Sequence, residues 1–324
     1  MSAIKTENLA KRFDKIPAIE SINLEIEKGQ IVGLVGPDGA GKTTLLRLLV
    51  GLLKPSEGSI MVEGIDVAKA PLQVKEKIGY MPQQFSLYGD LTVSENLKFF
   101  ADLYQVTERK YVQRKEELLS FSQLSPFQER LTRNLSGGMQ KKLALACNLF
   151  HAPAVLLLDE PTTGVDPVSR RELWQLLYQL NSQGVTILLT TPYMDEAQKC
   201  HQVGLIYEGR LLACKPPQKL IEEMKDEIIE LITDKEIDRK KLRSLSGFKY
   251  VYPWGETLHL VFAAGKKGQE KIRALLEKQG VGILRVKQIT PSFEDVFFTL
   301  VQEQRKGSGT LVTKFHRPES GADS

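Results

Sequence analysis

An α/β fold built on a parallel sheet is predicted by two features of the chain, and a third adds an antiparallel strand to it. Residues 31–35, 154–158 and 185–189 are short, continuous apolar runs, the pattern of strands covered on both faces. Helical patterns over residues 44–53, 139–150 and 169–181 alternate with these runs, as the winding of a parallel sheet requires. Ahead of the first run, Ile22, Leu24 and Ile26 alternate with Ser21, Asn23, Glu25 and Glu27, so this stretch predicts a half-buried antiparallel strand.

The remaining elements follow in chain order. Residues 92–135 show helix and loop patterns without strand runs and predict a helical insertion, the centre of a helical subdomain spanning about 85–145. Pro216-Pro217 can neither donate to a ladder nor continue a helix, and marks the end of a first domain over residues 1–218. Beyond it the pattern predicts strand 227–232, helix 236–245, strands 248–252 and 258–262, helix 269–279, strand 281–289 and a last helix from Phe293. Ser292 and Asp295 flank the start of that helix at capping-box spacing. The order β-α-β-β-α-β predicts a small C-terminal split βαβ domain over 219–303. Residues 304–324, rich in Gly, Ser and charge, predict a disordered tail.

Composition narrows the function classes. The 324 residues carry 44 Lys plus Arg against 40 Asp plus Glu, and a net charge of +4 gives no argument for nucleic acid. Cys147, Cys200 and Cys214 are odd in number and lack CxxC spacing, which points to no disulfide framework or zinc site and to a reducing cytosol. No signal-peptide pattern is present, and the apolar stretch 45–53, broken by Arg47, is too short to span a membrane.

Chemistry concentrates in three segments. Gly36-Pro37-Asp38-Gly39-Ala40-Gly41-Lys42-Thr43 matches G-x-x-x-x-G-K-[ST] between a buried strand and a helix. Its glycines let backbone N–H groups close on phosphate oxygens. Lys42 reaches the β/γ-phosphates, the Thr43 hydroxyl takes a Mg²⁺ position, and the helix starting near Thr44 aims its positive end at the anion. The apolar run ending in Asp159-Glu160 places two carboxylates at the C-terminal edge of the sheet, where ligands bind. Asp159 suits Mg²⁺ held through water, and Glu160 suits polarising an attacking water. Ser136-Gly137-Gly138, before an amphipathic helix, forms a second anion cradle.

Leu135-Ser136-Gly137-Gly138-Met139-Gln140 resembles the signature sequence of ATP-binding cassette (ABC) ATPases, and the other cassette landmarks appear in order. Phe13 sits where the family stacks an aromatic on adenine. Gln83, in Tyr80-Met81-Pro82-Gln83, sits at the Q-loop position that senses Mg²⁺ and water. Thr163-Gly164-Val165-Asp166 matches the D-loop. The resemblance covers residues 3–215, and the C-terminal region resembles the small domain appended to exporter-type cassettes. It implies a RecA-like P-loop NTPase core with an antiparallel β subdomain and a helical subdomain. It also implies a head-to-tail dimer with ATP and Mg²⁺ held between one P-loop and the opposite residues 136–138. The implied partners are a second cassette, identical or not, and a transmembrane permease; nucleic acid is not among them. The implied location is the cytoplasmic face of the membrane. Phe85, Leu87 and Tyr88 fall where the family's permease contacts are made, with core packing as the other reading.

One departure stands out. Where most cassettes read Thr-Thr-His-Tyr-Met-Asp-Glu-Ala, this chain reads Thr190-Thr191-Pro192-Tyr193-Met194-Asp195-Glu196-Ala197. Proline has no donor with which to contact a γ-phosphate. Either Glu160 suffices for slow turnover, or this is a degenerate site paired with a competent one, as the similarity to the first ATPase half of tandem-cassette exporter subunits implies. The main expectation is an ATPase subunit of an ABC exporter. The alternatives are a mainly ATP-binding regulatory cassette and a soluble ABC ATPase. Lys42 and Ser136 are 94 residues apart, which leaves no room for the long coiled coil of the chromosome and repair types. Lys141-Lys142 reads as a solvated helix face, and Cys200-His201 as surface residues.

Overall fold

The computed structural model describes residues 1–84, 87–235, 237, 248–263, 268–278 and 280–308. They divide into two compact units, Met1–Lys219 and Leu220–Ser324.

The first unit contains two sheets. Strands β1 (Ser2–Phe13), β2 (Ile16–Glu27), β4 (Glu57–Val62) and β5 (Ile65–Asp66) form an antiparallel sheet in the order β2-β1-β4-β5. Strands β3 (Ile31–Val35), β6 (Ile78–Met81), β7 (Val155–Asp159), β8 (Thr186–Thr191), β9 (Gln202–Tyr207) and β10 (Arg210–Lys215) form the second, in the order β10-β9-β3-β8-β7-β6. Its pairings are parallel except for the β9–β10 hairpin. Register positions the chemistry: Val35 pairs with Thr191, Thr190 with Asp159, and Leu158 with Met81. The loops after β3, β6, β7 and β8 therefore leave from one level of one edge.

Helix α1 (Lys42–Leu49) follows β3 and buries Leu45, Leu46, Leu48 and Leu49 in a single core cluster. That cluster also takes Ile4, Leu9, Ile19 and Ile22 from the antiparallel sheet, and Val32, Leu157 and Leu188 from the parallel one. Helices α2 (Pro71–Lys77), α3 (Val93–Leu103), α4 (Glu108–Phe121) and α5 (Gly137–Cys147) occupy the stretch between β5 and β7. A capping box starts α3, with the Thr92 hydroxyl accepting from Glu95 N and the Glu95 carboxylate from Thr92 N. Helix α6 (Pro167–Ser182) separates β7 from β8, and the short helix α7 (Met194–Ala197) follows β8. Helix α8 (Pro217–Glu222) is the last element before the C-terminal sheet.

In the second unit β11 (Glu227–Thr233), β12 (Phe248–Trp254), β13 (Thr257–Phe262) and β14 (Ile283–Ile289) form an antiparallel sheet ordered β12-β13-β11-β14. β13 separates β11 from β12, and β11 separates β13 from β14, which is the split arrangement. Helix α9 (Gly268–Lys278) packs Ile272 and Leu276 against Ile229, Leu231, Val251, Leu260 and Phe262. Ile228, Tyr250, Tyr252 and Val261 form a second cluster with Phe298 of α10 (Phe293–Ser308). The helix expected over 236–245 lies, apart from Ile237, outside the described residues. α10 runs through Ser308, so residues 304–308 are helical and not part of a tail; 309–324 lie outside the described residues.

Candidate nucleotide site

The loop between β3 and α1 is shaped for an anion. Gly41 stands at the N-cap of α1 with φ 104°, a left-handed value that favours glycine, and offers no side-chain cap. The first turn contains no acidic residue, so the helix N–H groups meet no competing carboxylate there. The helix begins at Lys42, two residues earlier than the sequence pattern suggested, which places Lys42, Thr43 and Thr44 in its first turn. Lys42 is buried, and its ammonium donates to the carbonyls of Gly36 (2.8 Å) and Pro37 (3.2 Å). Asp38 and Gly39 are exposed, Ala40 is buried, and Phe13 ends β1 at 46% exposure with Lys11 Nζ 5.1 Å from its ring centre.

Glu160 is the point of convergence. It follows β7 with φ 48°, a conformation that a non-glycine residue keeps only when its surroundings hold it. Its N–H donates to Thr190 Oγ1 (2.9 Å), and that hydroxyl donates to Asp159 Oδ1 (2.7 Å). Its carboxylate accepts from Gln83 Nε2 (3.0 Å) and Thr163 Oγ1 (3.2 Å) and lies 3.7 Å from Lys42 Nζ. The structure thus brings Lys42, Gln83 and Glu160 together from three loops that leave the same sheet edge. Asp159 Oδ2 is buried without a hydrogen-bond partner, and the residue is 1% exposed. An orphaned carboxylate oxygen at this place fits a hard cation held by oxygen ligands, Thr43 being the other candidate.

Ser136, Gly137 and Gly138 belong to a separate element. Ser136 is the N-cap of α5 and accepts from Met139 N (3.3 Å). Ser136 and Gly137 are exposed, whereas Gly138 is buried because a Cβ there would stand 2.4 Å from the Ser169 side chain on α6. Asp166 caps α6, its Oδ1 accepting from Val168 N and Ser169 N (both 3.0 Å); its pKa is lowered, chiefly by the hydrogen bonds from Ser169.

Pro192 follows β8 directly. Beside it, Thr191 Oγ1 (2.7 Å) and Thr162 Oγ1 (2.8 Å) both donate to Glu196 Oε2, while Arg170 Nε sits 3.6 Å from Glu196 Oε1. Glu196 is fully buried, and the Arg170 guanidinium lies 4.3 Å from the Tyr193 ring centre. This knot ties the segment after β7 to the segment after β8 without a histidine.

Two expectations are corrected. Lys141 and Lys142 are not solvated: they are 3% and 6% exposed. Lys142 pairs with Glu172 of α6 (2.9 Å), and Lys141 reaches the carbonyls of Gln83 (3.4 Å) and Glu160 (3.3 Å). Charged residues on a helix read as solvent-facing unless the loops packed over them are known. Of the other pair only Cys200 is buried, its thiol pushed up to about 12 by burial, whereas His201 is exposed as expected, its Nδ1 accepting from Ile31 N (2.9 Å). Among the described residues no cluster of three or more His, Cys, Asp or Glu is placed to hold a metal. Phe85 lies outside the described residues, Leu87 is half-buried, and Tyr88 is exposed with its ring 4.6 Å from Phe99. Thr190 and Thr163, which hold Glu160, and Glu196, which ties the segments after β7 and β8, were not picked out from sequence as site residues, although all three lie inside quoted motifs.

Comparison with known proteins places the chain in a family. The family model for ABC transporters matches residues 19–163. The chain is 42% identical over 315 residues to the probable multidrug ABC transporter ATP-binding protein YbhF of Escherichia coli K12, covering 95% of this chain and 53% of that protein. It therefore spans about half the length of that relative. It is 34% identical over 310 residues to the Nod factor export ATP-binding protein I of Cupriavidus metallidurans, covering 94% of this chain and 100% of that one. Among solved structures it is similar to cbiO1 from Clostridium perfringens, part of the ABC transporter complex cbiONQ (TM-score 0.62, 30% identity, 68% of this chain and 91% of that one). It is also similar to the dimeric ATP-binding cassette MJ0796 bound to ADP and Pi (TM-score 0.60, 28% identity, 66% and 98%). The chain belongs to the ABC transporter family, among its ATP-binding proteins.

Proposed function

We propose that this chain binds ATP between the loop 36–43 and a second cassette, hydrolyses it, and so energises a separate transmembrane permease for export. The observation that carries the reading is the meeting of Lys42, Gln83 and Glu160 at one sheet edge. A relative named for Nod factor export supports the outward direction.

The residues divide the chemistry. Lys42 transfers its donors from the Gly36 and Pro37 carbonyls to the β/γ-phosphate oxygens, and the first-turn amides of α1 supply the remaining positive field. Glu160, held by Gln83 and Thr163, orients and deprotonates the attacking water. Thr43 and Asp159 would hold Mg²⁺, with Gln83 as a further candidate, and the ion would there supply positive charge against that developing on the phosphates. Phe13 stacks on the base. Ser136, Gly137 and Gly138 offer the start of α5 to the nucleotide of the partner cassette, so that closing two copies excludes water from each γ-phosphate. The dimeric relative bound to ADP and Pi supports that assembly. Exposed Tyr88, Phe99 and Leu103 form an apolar surface for the permease. Among the described residues no helix is long and apolar enough to cross a membrane, which fits a separate membrane subunit placing the chain at the cytoplasmic face.

Pro192 favours one second reading, a mainly ATP-binding cassette whose competent partner carries the turnover. A titration and turnover experiment tests the main proposal. Lys42→Ala is expected to abolish nucleotide binding, and Glu160→Gln to keep binding while slowing phosphate release by about 10²-fold or more. Unchanged nucleotide affinity in the lysine variant, or equal turnover in the glutamine variant, would refute the assignment.

A further inference from the structure

Lys141 is a buried cation with a particular address. It lies in the second turn of α5, the helix whose N-cap is Ser136, and it is 3% exposed. Its ammonium stands 3.4 Å from the Gln83 carbonyl and 3.3 Å from the Glu160 carbonyl. The side chains of those same two residues are hydrogen-bonded to each other, Gln83 Nε2 to Glu160 Oε2 at 3.0 Å. One ammonium thus closes a ring: α5 to the segment after β6, that segment to Glu160, and Glu160 back to α5.

The ring acts where the backbone needs it. Glu160 has φ 48°, and such a conformation persists only when neighbours over-determine it. The Thr190 hydroxyl takes its N–H, and Lys141 takes its carbonyl alongside the Thr163 N–H (3.3 Å). Both backbone polar groups of the hydrolytic residue are therefore held by side chains, from β8 on one side and from α5 on the other. Stability alone does not account for a lysine at this place, because an apolar residue fills a buried helix position without desolvating a charge. Burial lowers the pKa of Lys141, while the Glu160 and Asp159 carboxylates work in the opposite sense.

We infer that Lys141 is a positioning residue for hydrolysis, locking the backbones of Gln83 and Glu160 to α5 so that the placement of this helix sets the placement of the hydrolytic carboxylate. The inference rests on the ATP-hydrolysing, dimeric reading above, and it adds a route between the two nucleotides of the dimer. The N-terminus of α5 addresses the partner's ATP, while Lys141, one turn further along, holds the backbone of the residue whose carboxylate serves the chain's own ATP. Docking of α5 onto the partner's nucleotide therefore reaches Glu160 through Lys141.

The test compares full-length wild type with Lys141→Met and Lys141→Arg. ATP affinity is read by titration, turnover and its Hill coefficient by phosphate release, and backbone protection by hydrogen exchange without nucleotide. In Lys141→Met, affinity stays within about twofold, kcat falls by about tenfold or more, and the Hill coefficient drops toward one. Exchange also quickens in peptides covering 82–84 and 160–163. Lys141→Arg, which keeps the charge and its donors, recovers most of the turnover and protection. Unchanged kcat and exchange in Lys141→Met overturns the inference, as does a loss of affinity in proportion to kcat. Equal loss in both variants marks packing instead of the ammonium and overturns it too. A wild-type chain that binds ATP without turnover overturns the hydrolytic reading beneath it. The exchange comparison then decides whether the clamp itself exists.

Discussion

Thr190 shows how much of the turn proposed for hydrolysis is scaffold. Its hydroxyl accepts from the Glu160 N–H and donates to Asp159, so one buried oxygen places both acids of the motif. Thr190→Val keeps shape and removes both bonds, leaving a buried N–H unsatisfied at a cost of about 1–3 kcal/mol. Slower turnover and a melting point lower by several degrees are expected, with ATP affinity preserved; an unshifted melting curve would mean that the bonds contribute nothing. Pro192 raises the complementary question. If its missing donor limits the site, Pro192→His raises phosphate release, and the gain disappears when Glu160→Gln is added. Adding a competent partner cassette then restores turnover without mutation. Robust wild-type turnover that the histidine leaves unaltered would remove the second reading. At this scale the sequence was legible wherever chemistry is contiguous, as in 36–43 and 159–160. It was illegible at Lys141 and Glu196, whose meaning depends on which segments fold over them.

Helix contacts set the next scale. α5 and α6 approach so closely at Gly138 that an added Cβ would fall 2.4 Å from Ser169. Gly138→Ala therefore forces the helices apart, and the signature segment moves with them. Reduced stability and lost ATPase activity are expected, with partial recovery when Ser169→Gly is combined with it. A single variant that melts and turns over like wild type would show that the two helices have room to spare. Strand recognition followed a similar logic. β3, with five consecutive buried residues, announces itself, whereas β1 does not. Its pairing with β2 is interrupted by several register shifts and Asn8 adopts φ 48°, so buried Ala3, Ile4, Thr6, Leu9 and Ala10 obey no single period. The helix starts at Lys42 and Gly137 were misplaced by two residues for a different reason. Glycine cradles and caps hide the first turn from any reading based on apolar spacing.

At the scale of the whole molecule, the two units contain separate cores, one around α1 and the others around the C-terminal sheet. A chain ending at Lys219 is thus expected to fold and to bind nucleotide, measured by a cooperative melt and by titration. The C-terminal unit contains a buried polar cluster of its own. Asp295 accepts from His259 Nδ1 (2.7 Å), from the Tyr252 hydroxyl and from Ser292 N (2.7 Å), with Trp254 stacked on His259. Burial alone would raise the Asp295 pKa, but the hydrogen bonds from His259, Tyr252 and Ser292 outweigh it and hold the carboxyl below its ordinary value. The folded state thus favours the carboxylate. Its contribution is complete above the unfolded value of about 4 and is lost as pH falls from there through the lower folded value. Asp295→Asn should weaken this unit by about 1–3 kcal/mol near neutrality, because it removes an acceptor shared by several buried donors. That gap should narrow below about pH 4. Urea unfolding followed by Trp254 fluorescence in a Trp174→Phe background reads this unit alone, since the chain has two tryptophans. A gap constant across that range would show that Asp295 is not the group responsible.

The way Glu160 is held also bears on how such a chain changes over generations. The groups that aim its carboxylate, Thr190, Thr163, Gln83 and Lys141, are distinct from those that cradle phosphate. Selection can therefore retime the motor through the first set while leaving its grip on nucleotide alone. A lineage that must slow one cassette of a pair has several positions at which to do so.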